Sequence, residues 1–144
     1  MNYSICELEV RDAAHSVLAI NQLLRELSTS GRSTSKGDLE KTLEHCRIFV
    51  VKEKASGTII GMGTISFAKQ LGRSFCTIDD IVITKAHRGE GLFSLLMNKL
   101  EEVALHEFGV ARLELHTSRE DAAKRYLGRG YHLYESDIYR KPLI

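Results

Sequence analysis

The sequence predicts an α/β fold in which a mixed β-sheet carries helices on its faces, and three observations lead there. An apolar strand, a glycine-containing loop and an amphipathic helix follow one another over residues 75–108; two β-rich stretches joined by a short turn precede them; and two helical stripes separate an alternating N-terminal segment from that hairpin. A hairpin feeding a βαβ unit needs antiparallel and parallel pairing in one sheet. The 144 residues, 43% of them hydrophobic, suit one domain spanning 1–144.

Residues 3–9 alternate in polarity and predict a first strand. Val17, Ile20, Leu23, Leu24 and Leu27 make a helical stripe over 12–27, with Asp12 placed as its cap. The small, polar stretch 28–37 predicts a mobile loop, and Leu39 and Leu43 mark a second helix over 38–46. Residues 47–54 and 59–68 are rich in β-branched and aromatic side chains about the turn 55–58, so they predict a hairpin. After a turn at 71–74 comes a strand over 75–84, whose run Ile81, Val82, Ile83 suits a position covered on both faces. Leu92, Leu95, Leu96, Leu100, Val103 and Ala104 share one stripe of a helix over 92–108 that Gly109 stops. A strand over 110–116, a helix from a Ser118 cap to Arg129, and a last strand over 131–140 complete the order β-α-α-β-β-β-α-β-α-β.

Lysine and arginine total 20 against 19 acidic residues, a net charge of +1, which opposes a nucleic-acid or membrane-surface binder. Cys6, Cys46 and Cys76 are odd in number and widely spaced, as expected of free thiols in a reducing compartment. With no basic, apolar leader and no run of ~18 apolar residues, the expected location is cytoplasmic. The six histidines form no metal-ligand spacing, no G-x-S-x-G elbow exists, and Cys76 lacks a charged neighbour that would activate it, so neither a metal nor a covalent enzyme intermediate is expected.

Chemistry concentrates at Arg88-Gly89-Glu90-Gly91-Leu92-Phe93, between the apolar strand and the long helix. Amides at a helix N-terminus point outward and attract anions; Gly89 and Gly91 allow positive φ and close approach, and Arg88 offers a guanidinium. Several consecutive amides suit a pyrophosphate. The spacing completes neither the P-loop nor the dinucleotide pattern, which disfavours nucleoside triphosphates and nicotinamide cofactors.

Residues 78–100 resemble the acetyl-CoA motif of the GNAT family of N-acetyltransferases, Q/R-x-x-G-x-G/A, anchored at Arg88, Gly91 and the position of Phe93. Residues 122–131 resemble the family's late A-x-x-x-Y-x-x-x-G-F/Y through Ala122, Tyr126, Gly130 and Tyr131. The resemblance implies a three-layer αβα fold with a splayed central sheet. It also implies acetyl-CoA as co-substrate, its pantetheine pairing with the main chain of Ile81, Val82 and Ile83 and its pyrophosphate on the amides of Arg88, Gly89, Glu90, Gly91, Leu92 and Phe93. An amide near Ile81 or Val82 would stabilise the oxyanion, and Tyr126 would protonate the leaving thiolate.

A base for the attacking amine is still required. Asp79 and Asp80 are the candidates, with His116 behind them, and strict alternation lets only one of the two aspartates face the acceptor. Their strand, Ile78-Asp79-Asp80-Ile81-Val82-Ile83, resembles that of glucosamine-6-phosphate N-acetyltransferases. The sequence departs from the family where Phe93 replaces a small residue, where Arg119 stands in place of asparagine, and where Thr117 occupies a site acidic in the sugar-phosphate enzymes. The expected activity is direct acetyl transfer to a primary amine of a small molecule or protein, from a site walled by helix one, loop 28–37, the aspartate strand and residues 134–139. Arg32 and Lys36 in that loop are candidates to hold an anionic acceptor group. The rival is a non-catalytic acyl-CoA-binding sensor or scaffold module. An exposed last strand also admits a homodimer.

Overall fold

The computed structural model describes residues 2–144. Among them five strands pair in chain order: β1 (Tyr3–Glu7), β2 (Arg47–Glu53), β3 (Ile59–Gln70), β4 (Arg73–Ile83) and β5 (Leu113–Leu115). The first four are antiparallel and β5 joins β4 in parallel. That last step needs a crossover, which α3 (Leu92–Glu102) supplies. Helices α1 (Ala13–Leu27) and α2 (Lys36–His45) cover the opposite face, and α4 (Glu120–Leu127) follows β5.

Strand β2 is apolar on both sides, so it serves two cores. Phe49 and Val51 join Ile65, Ile78, Leu96 and Leu100 on the α3 side. Ile48 and Val50 join Ile20, Leu23, Leu24 and Met62 on the α1 side. The mixed sheet covered on both faces matches the fold class read from the sequence.

Local chemistry shifts several boundaries. Asp12 does not cap α1; its carboxylate accepts the Glu9 N–H at 2.8 Å, closing a 3₁₀ turn ahead of the helix. Ser35 caps α2 by accepting the Asp38 N–H at 3.1 Å. The loop expected to be mobile is tied to α1, because Asn21 accepts the Thr34 N–H at 2.8 Å and donates to the Thr34 carbonyl at 3.0 Å. Beyond Glu102 the long helix widens to i→i+5 bonding over Val103–Glu107, with Phe108 N–H donating to the Val103 carbonyl at 3.0 Å, and Gly109 ends it at φ +70°. Ser118 caps nothing; Arg119 occupies the start of α4.

The expected last strand at 131–140 is absent. Leu133 stands beside Tyr134 and Ile138 beside Tyr139, so neither face of an extended segment would be uniformly apolar. All four side chains are exposed.

Candidate active site

The site begins with an irregularity in β4. Cys76 and Ile78 pack on the α3 side, and so do Ile81 and Ile83, while Val82 packs on the α1 side. Strict alternation cannot give that pattern unless one extra residue is inserted. The pairing jumps from Thr64–Asp79 to Met62–Val82, so Gly63 opposes both Asp80 and Ile81. Asp80 carries the turn at φ +56°, an unusual value for a side-chain-bearing residue and one costing on the order of 1 kcal/mol. The buried Thr64 hydroxyl donates to the Asp79 carbonyl at 3.0 Å and satisfies an acceptor beside the bulge. A Cβ at Gly63 would lie 2.5 Å from Ile81 Cδ1 and 3.0 Å from Leu100 Cδ1, so glycine lets Ile81 lean across β3.

The bulge breaks the strict alternation expected of Asp79 and Asp80. The charges of both Asp79 and Asp80 bear on Arg32 and on Cys46. Arg32 donates to Asp80 at 2.9 Å from the loop that Asn21 holds. Asp79 makes no such pair and keeps access to solvent, yet desolvation by its surroundings, and then the neighbouring Asp80 charge, raise its carboxyl above the ordinary value; His116 and Arg32 oppose the rise. Burial first, then the two carboxylates, push the Cys46 thiol up and keep it protonated. A carboxylate paired with Arg32 and one whose pKa is raised thus stand side by side.

The parallel β4–β5 ladder ends at Ile78–Leu115, which leaves Ile81–Ile83 without a partner on that edge. A cleft of about 400 Å³ opens there, between β4, the start of α3 and α4. Ile81, Val82, Ile83, Arg88, Gly89, Gly91, Leu92, Phe93 and Tyr126 line it. Gly89 at φ +83° and Gly91 at φ +79° form the turn into α3 with open space around each, so their need is conformational rather than steric. Arg88 spends its Nε on the Ile83 carbonyl at 3.0 Å and locks the loop to the end of β4. Among the expected coenzyme residues only Glu90 lies outside the lining; its carboxylate turns toward β1. Asp79 and Asp80 lie outside the cleft, next along β4 from Ile81.

Tyr126 is buried at the cleft wall, between the rings of Phe93 (5.6 Å) and Tyr131 (5.7 Å). Its hydroxyl has no hydrogen-bond partner among the described residues. Desolvation raises its pKa above the ordinary phenol value, moderated by Arg125 and Arg119. The Phe93 ring leans onto Tyr126 with the Arg125 guanidinium 5.3 Å above it, so it forms cleft wall and leaves the glycine turn uncrowded. Tyr131 donates to Glu101 at 2.8 Å and packs against the core.

The structure also brings a basic contribution to the cleft. Arg119, Arg125 and Arg129 all line the cleft. Arg129 Nη2 holds Asn98 and Glu101, each at 2.6 Å, pinning α4 to α3, while its Nε is buried without a partner. The signal was available in the spacing of Arg125 and Arg129, one residue before and three after Tyr126. Among the described residues no cluster of His, Cys, Asp or Glu is placed to hold a metal ion. None of the helices is long and apolar enough to cross a membrane.

Known structures share this architecture. A glucosamine-6-phosphate N-acetyltransferase from Arabidopsis thaliana superposes with a TM-score of 0.78 at 20% identity, covering 98% of this chain and 99% of that one. An aminoglycoside acetyltransferase from an uncultured soil metagenomic sample gives 0.79 at 20% identity over 100% of both chains. A ribosomal-protein-alanine N-acetyltransferase from Brucella melitensis biovar Abortus gives 0.77 at 20% identity over 98% and 99%. No curated protein matches the chain. The sequence model of the acetyltransferase (GNAT) family matches residues 17–131, a span that contains β4, the glycine turn and Tyr126, and the chain belongs to that family.

Proposed function

We propose that the protein transfers the acetyl group of acetyl-CoA to a primary amine by direct attack within a ternary complex. The observation that carries this reading is the meeting, in one cleft, of the unpaired edge of Ile81–Ile83, the amides of the glycine turn and the unpartnered Tyr126 phenol. The fit to the coenzyme is chemical. Main-chain groups at Ile81–Ile83 suit an amide-bearing arm, the turn at Gly89 and Gly91 suits a pyrophosphate, and the cleft arginines suit further phosphate charge.

In the reaction the amine nitrogen attacks the thioester carbonyl carbon. An amide near Ile81 or Val82 stabilises the oxyanion. The carbon–sulfur bond then breaks and the departing thiolate takes the Tyr126 proton. The proton lost by the amine goes to Asp79, whose elevated carboxyl is better matched to that task than an ordinary aspartate. Asp80 pairs with Arg32 and holds the acceptor loop in place. The acceptor class is a primary amine on a small molecule or protein, and Arg32 with Lys36 favours one bearing an anionic group.

The test is calorimetric titration with acetyl-CoA followed by a thiol-release screen over amino sugars, amino-sugar phosphates, amino acids and peptides. Micromolar binding with release for one amine class supports the proposal. Binding without release for every amine makes the protein an acyl-CoA-binding sensor, and absence of binding overturns the coenzyme assignment.

A further inference from the structure

The glycine turn contains its own electrostatic problem. Glu90 sits between Gly89 and Gly91, so a carboxylate is built into the segment whose amides attract anions. The structure removes that charge from the turn by a contact from the far end of the chain. The Tyr3 hydroxyl, on β1, donates to Glu90 Oε2 at 2.6 Å, and the His87 ring nitrogen Nδ1 lies 3.3 Å from the same hydroxyl and 3.4 Å from the carboxylate. The Tyr3 and His87 rings meet edge to face at 6.0 Å, which fixes the position of the phenol. Glu90 alone among the turn residues is thereby kept out of the cleft lining, although His87 and Arg88 remain in it.

On the basis of the coenzyme reading above, we infer that Tyr3 is a positioning residue for anion binding: it holds the Glu90 carboxylate away from the glycine turn and leaves the amides free for the pyrophosphate. The tyrosine touches neither the cleft nor the reacting atoms. The Tyr3 contact also holds the Glu90 carboxyl below its ordinary value, so the group being sequestered is the charged one. Without the phenol the side chain is free to swing toward the turn, where its charge repels a bound pyrophosphate over several ångströms.

Coenzyme A binding by calorimetry at low salt, on the wild type, Tyr3→Phe, Glu90→Gln and the double variant, tests the inference. Tyr3→Phe is expected to weaken binding about threefold to tenfold, with the loss shrinking at high salt. Glu90→Gln in the Tyr3→Phe background is expected to restore wild-type affinity, a rescue that a merely structural role for Tyr3 would not produce. Unchanged affinity in Tyr3→Phe overturns the inference, as does a loss that persists in full in the double variant. A wild type that binds no coenzyme A overturns the underlying coenzyme reading instead, so the two failures are distinguishable.

Discussion

Replacing Tyr126 by phenylalanine deletes one oxygen and leaves the ring. Because that hydroxyl has no partner among the described residues, its loss strands no donor or acceptor, and the contacts with Phe93 at 5.6 Å and Tyr131 at 5.7 Å persist. Stability should change by less than about 1 kcal/mol. Catalysis should respond much more. General acid catalysis contributes about 10²–10⁴-fold, and because a thiolate is already a fair leaving group the lower end applies here, about 100-fold or roughly 2.7 kcal/mol of barrier. The assay is thiol release at saturating acetyl-CoA and acceptor, with a thermal melt on the same preparation. The pH profile provides a second readout. The acid must be protonated to act, so turnover falls as pH rises through the Tyr126 pKa, which burial places above the ordinary phenol value; this alkaline limb should vanish in Tyr126→Phe. A variant with wild-type turnover and an unchanged alkaline limb would refute the acid role and return Tyr126 to packing.

Asp79→Asn should lower kcat/KM and abolish its acidic limb, which in the wild type lies above the ordinary aspartate value because the base must lose its proton to act. The same substitution should raise the melting temperature at neutral pH: a carboxyl whose folded pKa is raised costs stability as pH climbs through that value, and asparagine removes the cost. Gly91→Trp should leave a folded protein destabilised by about 1–2 kcal/mol through its left-handed φ of +79°, while calorimetry detects no coenzyme A binding. Gly63→Ala should cost about 1–3 kcal/mol, because the new methyl meets Ile81 and Leu100. It should also weaken coenzyme binding as Ile81 is pushed into the cleft, measured by melting and by titration.

What was legible in the sequence was local. The glycine turn reads directly from Arg88 to Phe93, because a helix N-terminus after a strand leaves few other geometries, and Tyr126 was legible only through the resemblance of residues 122–131 to the family's late motif. The β4 bulge was not legible. It depends on Gly63 in a different strand opposing two residues at once, and nothing in the run Ile78 to Ile83 announces a change of face. Strict alternation therefore puts the two aspartates on opposite faces, whereas the bulge at Asp80 lets it pair with Arg32. The Tyr3 to Glu90 contact spans 87 residues and is set by where β1 ends on the sheet, which no local pattern encodes. The strand expected at 131–140 failed for the opposite reason: its composition is strand-like, but the order of its apolar residues builds no face.

The short ladder between β4 and β5 has a consequence for where the molecule opens first. β5 adds only the pairs Cys76–Leu113, Thr77–Glu114 and Ile78–Leu115, and beyond it α4 is held by the packing of Ala122 and Tyr126 and by Arg129 and Tyr131 just past its end, which bind Glu101. This C-terminal quarter forms a seam whose amides should exchange with solvent well before those of β2 and β3, which sit in the middle of the sheet. A ligand that touches both Ile81–Ile83 and the α4 wall bridges the seam, and at 100 times its dissociation constant contributes about 2.7 kcal/mol to the closed form. Its protection would therefore concentrate in β5 and α4, making hydrogen exchange in that quarter a reporter of occupancy that needs no knowledge of the acceptor.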